Sequence, residues 1–173
     1  MSNLTIKMGI WNNFLKKRNN LQKFDNFYFF LISAIVFFTD RYSKSEIINN
    51  FSDRTYFINS YINFDLIWNT GIGFGFLSTE SALIYNLVTL LIGLVVLFLG
   101  YTLFISERLD KLIYSIIIGG GLGNFYDRIF YKAVPDFIDL HYNNFHWFTF
   151  NVADIFITVA IITFILRSFF IKN

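Results

Sequence analysis

Four apolar runs, at about residues 26 to 45, 82 to 105, 112 to 131 and 152 to 171, nearly exhaust this chain of 173 residues. A helix needs roughly 20 such residues to cross about 30 Å of hydrocarbon, and inside a bilayer only helices and closed barrels satisfy their own backbone. The runs therefore predict an all-α polytopic membrane protein of four transmembrane helices, with residues 24–173 as the membrane domain and residues 1–23 as a loose, polar cytoplasmic tail. At 55% hydrophobic and 15% charged residues, the composition lies outside the range of a soluble domain.

The remaining charges orient the runs. Lys7, Lys16, Lys17, Arg18 and Lys23 precede the first, Arg108 and Lys111 lie between the second and third, and Arg167 and Lys172 close the fourth. The positive-inside rule makes these segments cytoplasmic, so both termini are expected inside. Residues of about 46 to 80 and 132 to 150 then face outward, carrying Glu46, Asp53, Asp65, Glu80, Asp136 and Asp139. Asp40, Arg41 and Lys44 stand where a cleaved signal peptide needs small residues, so the first run is read as a retained helix.

Between the first two runs, Tyr56 to Asn59 and Tyr61 to Trp68 alternate with aromatic and β-branched residues, as short strands do. A small extramembrane β-structure is expected there, ending at Asn69-Thr-Gly-Ile-Gly-Phe-Gly-Phe. Gly119, Gly120, Gly121 and Gly123 in the third run include a small-xxx-small pair that lets helix backbones approach. Asn124 stands where a dinucleotide fingerprint needs its last glycine, and no strand precedes it, so no nucleotide site is expected.

Ionisable residues inside such segments are candidates for function, and three carboxylates qualify: Asp127, Asp136 and Asp154. Asn124, Asp127 and Arg128 share a helix face by their i, i+3, i+4 spacing. The same spacing groups Asp40, Ser43 and Lys44, which reads most simply as an interfacial cluster with Lys44 snorkelling to water. Asn151 and Asp154 are one turn apart, and Asp154 is followed by Ile155, Phe156 and Ile157 with no cation near in sequence. Asp136 follows Pro135, the only proline, whose ring fixes the backbone there. Were Asp136 and Asp154 to meet, like-charge repulsion would hold one proton between them, the arrangement of aspartic proteases.

Other chemistries are poorly supplied. Without Cys, disulfides, thiolate metal sites, a Cys nucleophile and a lipid-bearing cysteine are all excluded. His141 and His146 are the only histidines, and a zinc site would have to borrow carboxylates from elsewhere. A small transporter would also bury carboxylates, but no internal repeat of the transporter kind is present and the carboxylates gather toward one face of the membrane. A packed-helix scaffold would leave the paired Asn/Asp turns without a purpose.

Five blocks, in order, resemble the bacterial lipoprotein signal peptidases, or signal peptidase II, an aspartic peptidase family. They are Asp40 to Lys44, Asn69 to Phe74, Gly123 to Arg128, Val134 to Phe137 and Phe150 to Asp154. The resemblance implies that Asp136 and Asp154 are catalytic. It makes Asn69, Gly71, Asn124, Arg128 and Asn151 site-lining residues, with Asp40, Lys44 and Asp127 in support. It implies cleavage before the diacylglyceryl-modified cysteine of a prolipoprotein, near the outer face of the cytoplasmic membrane. The implied partners are that substrate and membrane phospholipid, with no nucleic acid, cofactor or metal, and a monomeric chain. Two departures stand out: Arg41 replaces the usual Gln, expected to alter only surface electrostatics, and Pro135 replaces the second Val before Asp136.

Overall fold

The computed structural model describes residues 3–71, 82–143 and 145–170, with side chains from residue 26 onward. The glycine-rich segment past Gly71, including Phe74, lies outside the described residues. Helix α1 runs Asn3–Asn50, followed by strands β1 (Tyr56–Asn59) and β2 (Ile62–Asn69), then helices α2 (Ala82–Ile105) and α3 (Arg108–Phe130). Strands β3 (Val134–Tyr142) and β4 (Phe145–Phe150) lead into α4 (Val152–Phe170).

The segment expected as a loose tail is instead the start of α1. Within Asn3–Asn50 there is no proline and a single glycine, Gly9, so nothing interrupts the helix. At 1.5 Å per residue it is roughly 70 Å long, more than twice the hydrocarbon thickness.

Among the described residues, two helices, α2 and α4, are long and apolar enough to cross a membrane by length and composition. They present Leu87, Leu94, Leu97, Phe98, Ile162 and Phe169 outward, as lipid-facing surfaces do. Charge is what sets α1 and α3 apart: they turn Asp40, Lys44, Asp127 and Arg128 inward, where all four are buried.

Helix α3 is the hub, and its glycines are the reason. A Cβ on Gly119 would lie 2.6 Å from the Ser33 carbonyl oxygen of α1, and one on Gly120 would lie 3.0 Å from the Ala153 carbonyl oxygen of α4. Ser33 completes the seam by donating to the Ser115 carbonyl at 2.8 Å. Phe29, Ile118 and Leu103 pack together from α1, α3 and α2. At the other end of the bundle from the sheet, Arg167 of α4 pairs with Asp110 and, at 3.3 Å, with Glu107.

The β-structure is larger than expected. It is one antiparallel sheet of four strands in the order β1-β2-β3-β4, so the connection between α3 and α4 supplies half of it. Strand β3 escapes a period-two reading because residues 134 to 137 are all buried and because Pro135 reads as a turn. The proline is tolerated for a positional reason. It pairs with Trp68 of β2, whereas pairing with β4 begins only at Ile138, so β3 has one neighbour at Pro135, as prolines in sheets require. Aromatic contacts between Phe64 and Phe137, and between Tyr61 just ahead of β2 and Tyr142, hold β2 against β3.

Candidate active site

The register of β2 against β3 sets Ile67 opposite Asp136 and Asn69 opposite Val134. This brings the α1–α2 and α3–α4 connections together beside the C-terminal end of α3 and the start of α4. Asn69 Nδ2 donates to Asp136 Oδ2 at 2.8 Å, and Asn151 Nδ2 donates to Asp136 Oδ1 at 2.6 Å. Asn69 also accepts from the Gly71 N–H at 2.8 Å, a local Asx turn that holds its amide toward Asp136.

Asn151 is the N-cap of α4 and builds a capping box with the third helical residue. Its Oδ1 accepts the Asp154 N–H at 3.1 Å, and its own N–H donates to Asp154 Oδ2 at 3.2 Å. The remaining oxygen, Asp154 Oδ1, accepts from Asn124 Nδ2 of α3 at 2.9 Å. One asparagine thus touches both carboxylates, and among the described residues each side-chain donor bonded to either is a neutral amide.

Asp136 is 2% exposed. Burial first, and the Asp154 charge second, push its carboxyl up to about 7, against the opposing pull of the Asn69 and Asn151 hydrogen bonds and of Lys44.

A second cluster lies beside the first with the opposite electrostatics. Lys44 Nζ donates to Asp40 Oδ2 at 2.7 Å, Asn124 Oδ1 at 2.8 Å and Asp127 Oδ2 at 2.7 Å, which uses all three ammonium hydrogens. Lys44 is fully buried, so it does not snorkel. Asp40 Oδ1 accepts the Ala153 N–H at 2.9 Å, locking α1 to the first turn of α4. The closeness of Gly123 to Asp40 leaves no room for a side chain. Ser43 donates to the Asp40 carbonyl at 2.8 Å.

Asp127 takes its second cation from Arg41, not from the adjacent Arg128. Arg41 also lies over the Tyr126 ring at 4.6 Å. The residue expected to tune surface charge therefore neutralises a buried carboxylate, a contact between positions too distant in sequence for spacing to reveal. Arg128 donates to the Gly71 carbonyl, and Tyr85 donates to the Arg128 carbonyl at 3.0 Å. Tyr85 was absent from the residues expected at the site, and no local pattern marks it.

Asp136, Asp154, Asn69, Gly71, Asn124 and Asn151 thus form one connected set. Asp40, Lys44, Asp127 and Arg41 form its neighbour, and Arg128 secures the loop. Paired carboxylates held by amides on a helical membrane frame supply the chemistry of an aspartic peptidase.

Residues 32–170 match the family model described as signal peptidase (SPase) II. A lipoprotein signal peptidase of Pelagibacter ubique (strain HTCC1062) is 45% identical over 152 residues, covering 86% of this chain and 92% of its own length. One from Dichelobacter nodosus (strain VCS1703A) is 40% identical, covering 78% of this chain and 88% of its own. A solved bacterial membrane enzyme superposes with a TM-score of 0.70 at 26% identity, covering 84% of this chain and 90% of that one. The chain belongs to the signal peptidase II family of aspartic endopeptidases. It is a multi-pass inner-membrane protein that acts on signal peptides.

Proposed function

We propose that Asp136 and Asp154 are the catalytic pair and that the substrate is a prolipoprotein, cut before its diacylglyceryl-modified cysteine. The observation that carries this reading is the contrast between the two clusters. Asp40 and Asp127 share Lys44, and Asp127 also pairs with Arg41, whereas among the described residues the side-chain donors to Asp136 and Asp154 are amides. Two linked carboxylates, Asp136 buried and Asp154 half-buried, with no cation bonded to either among the described residues do not both ionise readily, so one proton stays between them.

The ionised member takes a proton from water as the water oxygen attacks the scissile carbonyl. The protonated member polarises that carbonyl and then protonates the departing amine. The pair titrates as a unit, so the roles belong to the pair. Asn69, Gly71, Asn124, Arg128 and Asn151 line and position the site, with Asp40, Lys44 and Asp127 in support. Likeness to lipoprotein signal peptidases supports the substrate class.

All four helices span the membrane in this reading, α1 and α3 keeping their charges against one another. Both termini are cytoplasmic, as the Lys and Arg distribution favours, and the sheet rests on the outer face, where it cradles a substrate held in phospholipid. The chain acts as a monomer without cofactor.

The test mixes purified protein in detergent with a diacylglyceryl prolipoprotein and follows loss of the signal peptide by gel shift. Cleavage by wild type that vanishes in Asp136→Asn and Asp154→Asn is the expected result. Normal cleavage by Asp136→Asn alongside a folded but inactive Asp127→Asn would transfer the pair elsewhere. Equal cleavage of the unlipidated precursor would remove the lipid from the specificity.

A further inference from the structure

The chain's two histidines have no part in the peptidase site, yet the sheet brings them together. His141 of β3 is the cross-strand partner of His146 of β4, and Asp139 stands two residues before His141, on the same face of β3. Asp136 is three residues from Asp139 and so points to the other face.

The imidazole rings stack with centroids 5.3 Å apart and planes inclined by 24°. Both present Nδ1 to one oxygen: His146 Nδ1 is 2.7 Å and His141 Nδ1 is 3.6 Å from Asp139 Oδ2. One ligand atom from each of the three residues can be chosen so that all lie within 4.8 Å of one another. A tetrahedral zinc ion with bonds of about 2.0–2.1 Å sets its ligand atoms about 3.3 Å apart, a spacing bracketed by the two nitrogen–oxygen distances.

A second observation comes from burial. His141 is 8% exposed, and its Nδ1 is buried with no hydrogen-bond partner among the described residues. Such an orphaned polar atom is unfavourable, and it faces Asp139, which is 4% exposed. The ion-pair partners of Asp139 among the described residues are these two histidines.

We propose that Asp139, His141 and His146 form a site for a divalent transition-metal ion of the zinc class, on the sheet and separate from the peptidase pair. Two imidazoles and one carboxylate select borderline ions over the hard, oxygen-seeking Mg²⁺ and Ca²⁺. The side chain of His146 is 59% exposed, so the ion has a path from solvent and room for water as a further ligand. The ion ties β4 to β3 at the hairpin end of the strand whose other end carries Asp136.

The test uses the full chain in detergent, without an affinity tag, stripped by chelator and titrated with Zn²⁺ by calorimetry. Co²⁺ titration is read by visible absorption, and Mg²⁺ serves as control. One Zn²⁺ per chain and a rise in melting temperature are expected. His146→Ala and Asp139→Asn should weaken binding by at least about 10-fold to 100-fold, the scale reached when even an outer partner of a metal ligand is lost. His146→Ala, a change at an exposed side chain, should keep the metal-free melting temperature and the peptidase rate in chelator. Absence of saturable Zn²⁺ binding to the folded wild type, undiminished binding in both variants, or equal affinity for Mg²⁺ would overturn the proposal.

Discussion

Replacing Asp136 by Asn separates the catalytic role proposed for this carboxylate from its effect on stability. Its carboxyl is raised from 3.8 to about 7, chiefly by burial. Between those pH values the native state holds a proton that the unfolded chain has lost, so native stability falls as pH rises through the window and levels off above it. A shift of about three units at 1.36 kcal/mol each makes the ionised group cost about 4 kcal/mol above pH 7. Asn removes that cost, but Asp136 accepts from both Asn69 and Asn151, and an amide NH₂ facing one of those donors costs about 1–3 kcal/mol. Asp136→Asn is therefore expected to be less stable than wild type near pH 4 and more stable by about 1–3 kcal/mol near pH 8, with turnover lower by at least about 10³-fold. Equilibrium unfolding in detergent across this range reads the crossing directly, and the difference between the two proteins cancels every other titration except that of the partner Asp154. A constant stability gap from pH 4 to pH 8 would refute the raised carboxyl. Turnover within a factor of a few of wild type would refute its part in catalysis.

Lys44→Met should destabilise the protein by about 3–5 kcal/mol, because it leaves Asp40 and Asp127 buried with their shared ammonium gone; an unchanged unfolding midpoint in detergent would contradict this. Asn151→Ala removes the cap of α4 and a donor to Asp136, so a loss of about 0.5–2 kcal/mol should accompany a fall in kcat, both measurable on one preparation. Gly119→Ala forces a Cβ against the Ser33 carbonyl and should cost about 1–3 kcal/mol. Gly100→Ala, where nothing lies within 4 Å of the added carbon, should be neutral or gain up to about 1 kcal/mol, and a matched pair of melting curves tests both.

Helices α2, α3 and α4 were legible because each is a long apolar run closed by polar residues. The extent of α1 was not, since polarity between residues 3 and 23 reads as a tail although no breaker interrupts it. Strands β3 and β4 were hidden for another reason: residues 134 to 137 are buried on both faces, which erases the alternation that marks a half-buried strand. The one-turn spacing of Asn151 and Asp154 was visible, and it is the geometry of the capping box. What spacing could not show is which cation meets which carboxylate. Asp127 is bonded to Arg41 and Lys44, 86 and 83 positions away, and snorkelling was the local expectation for Lys44 only because that partner was out of view.

The Asn124 amide joins the two carboxylate clusters, and that junction explains why Lys44 can be close without disarming the proposed pair. Asn124 accepts from Lys44 through Oδ1 and donates to Asp154 through Nδ2, so its orientation is dictated by the ammonium on one side. Lys44 has no hydrogen left to give, and its charge is already balanced by carboxylates that cannot leave the packed seam between α1 and α3. Amide donors stabilise a negative charge without cancelling it, whereas a directly bonded ammonium would favour ionisation of both acids and release the proton they share. A buried lysine beside an acid pair would ordinarily argue against catalysis there. Here Asp40 and Asp127 hold it, leaving its field to orient Asn124, and the proposed pair, Asp136 and Asp154, can keep the shared proton its mechanism requires.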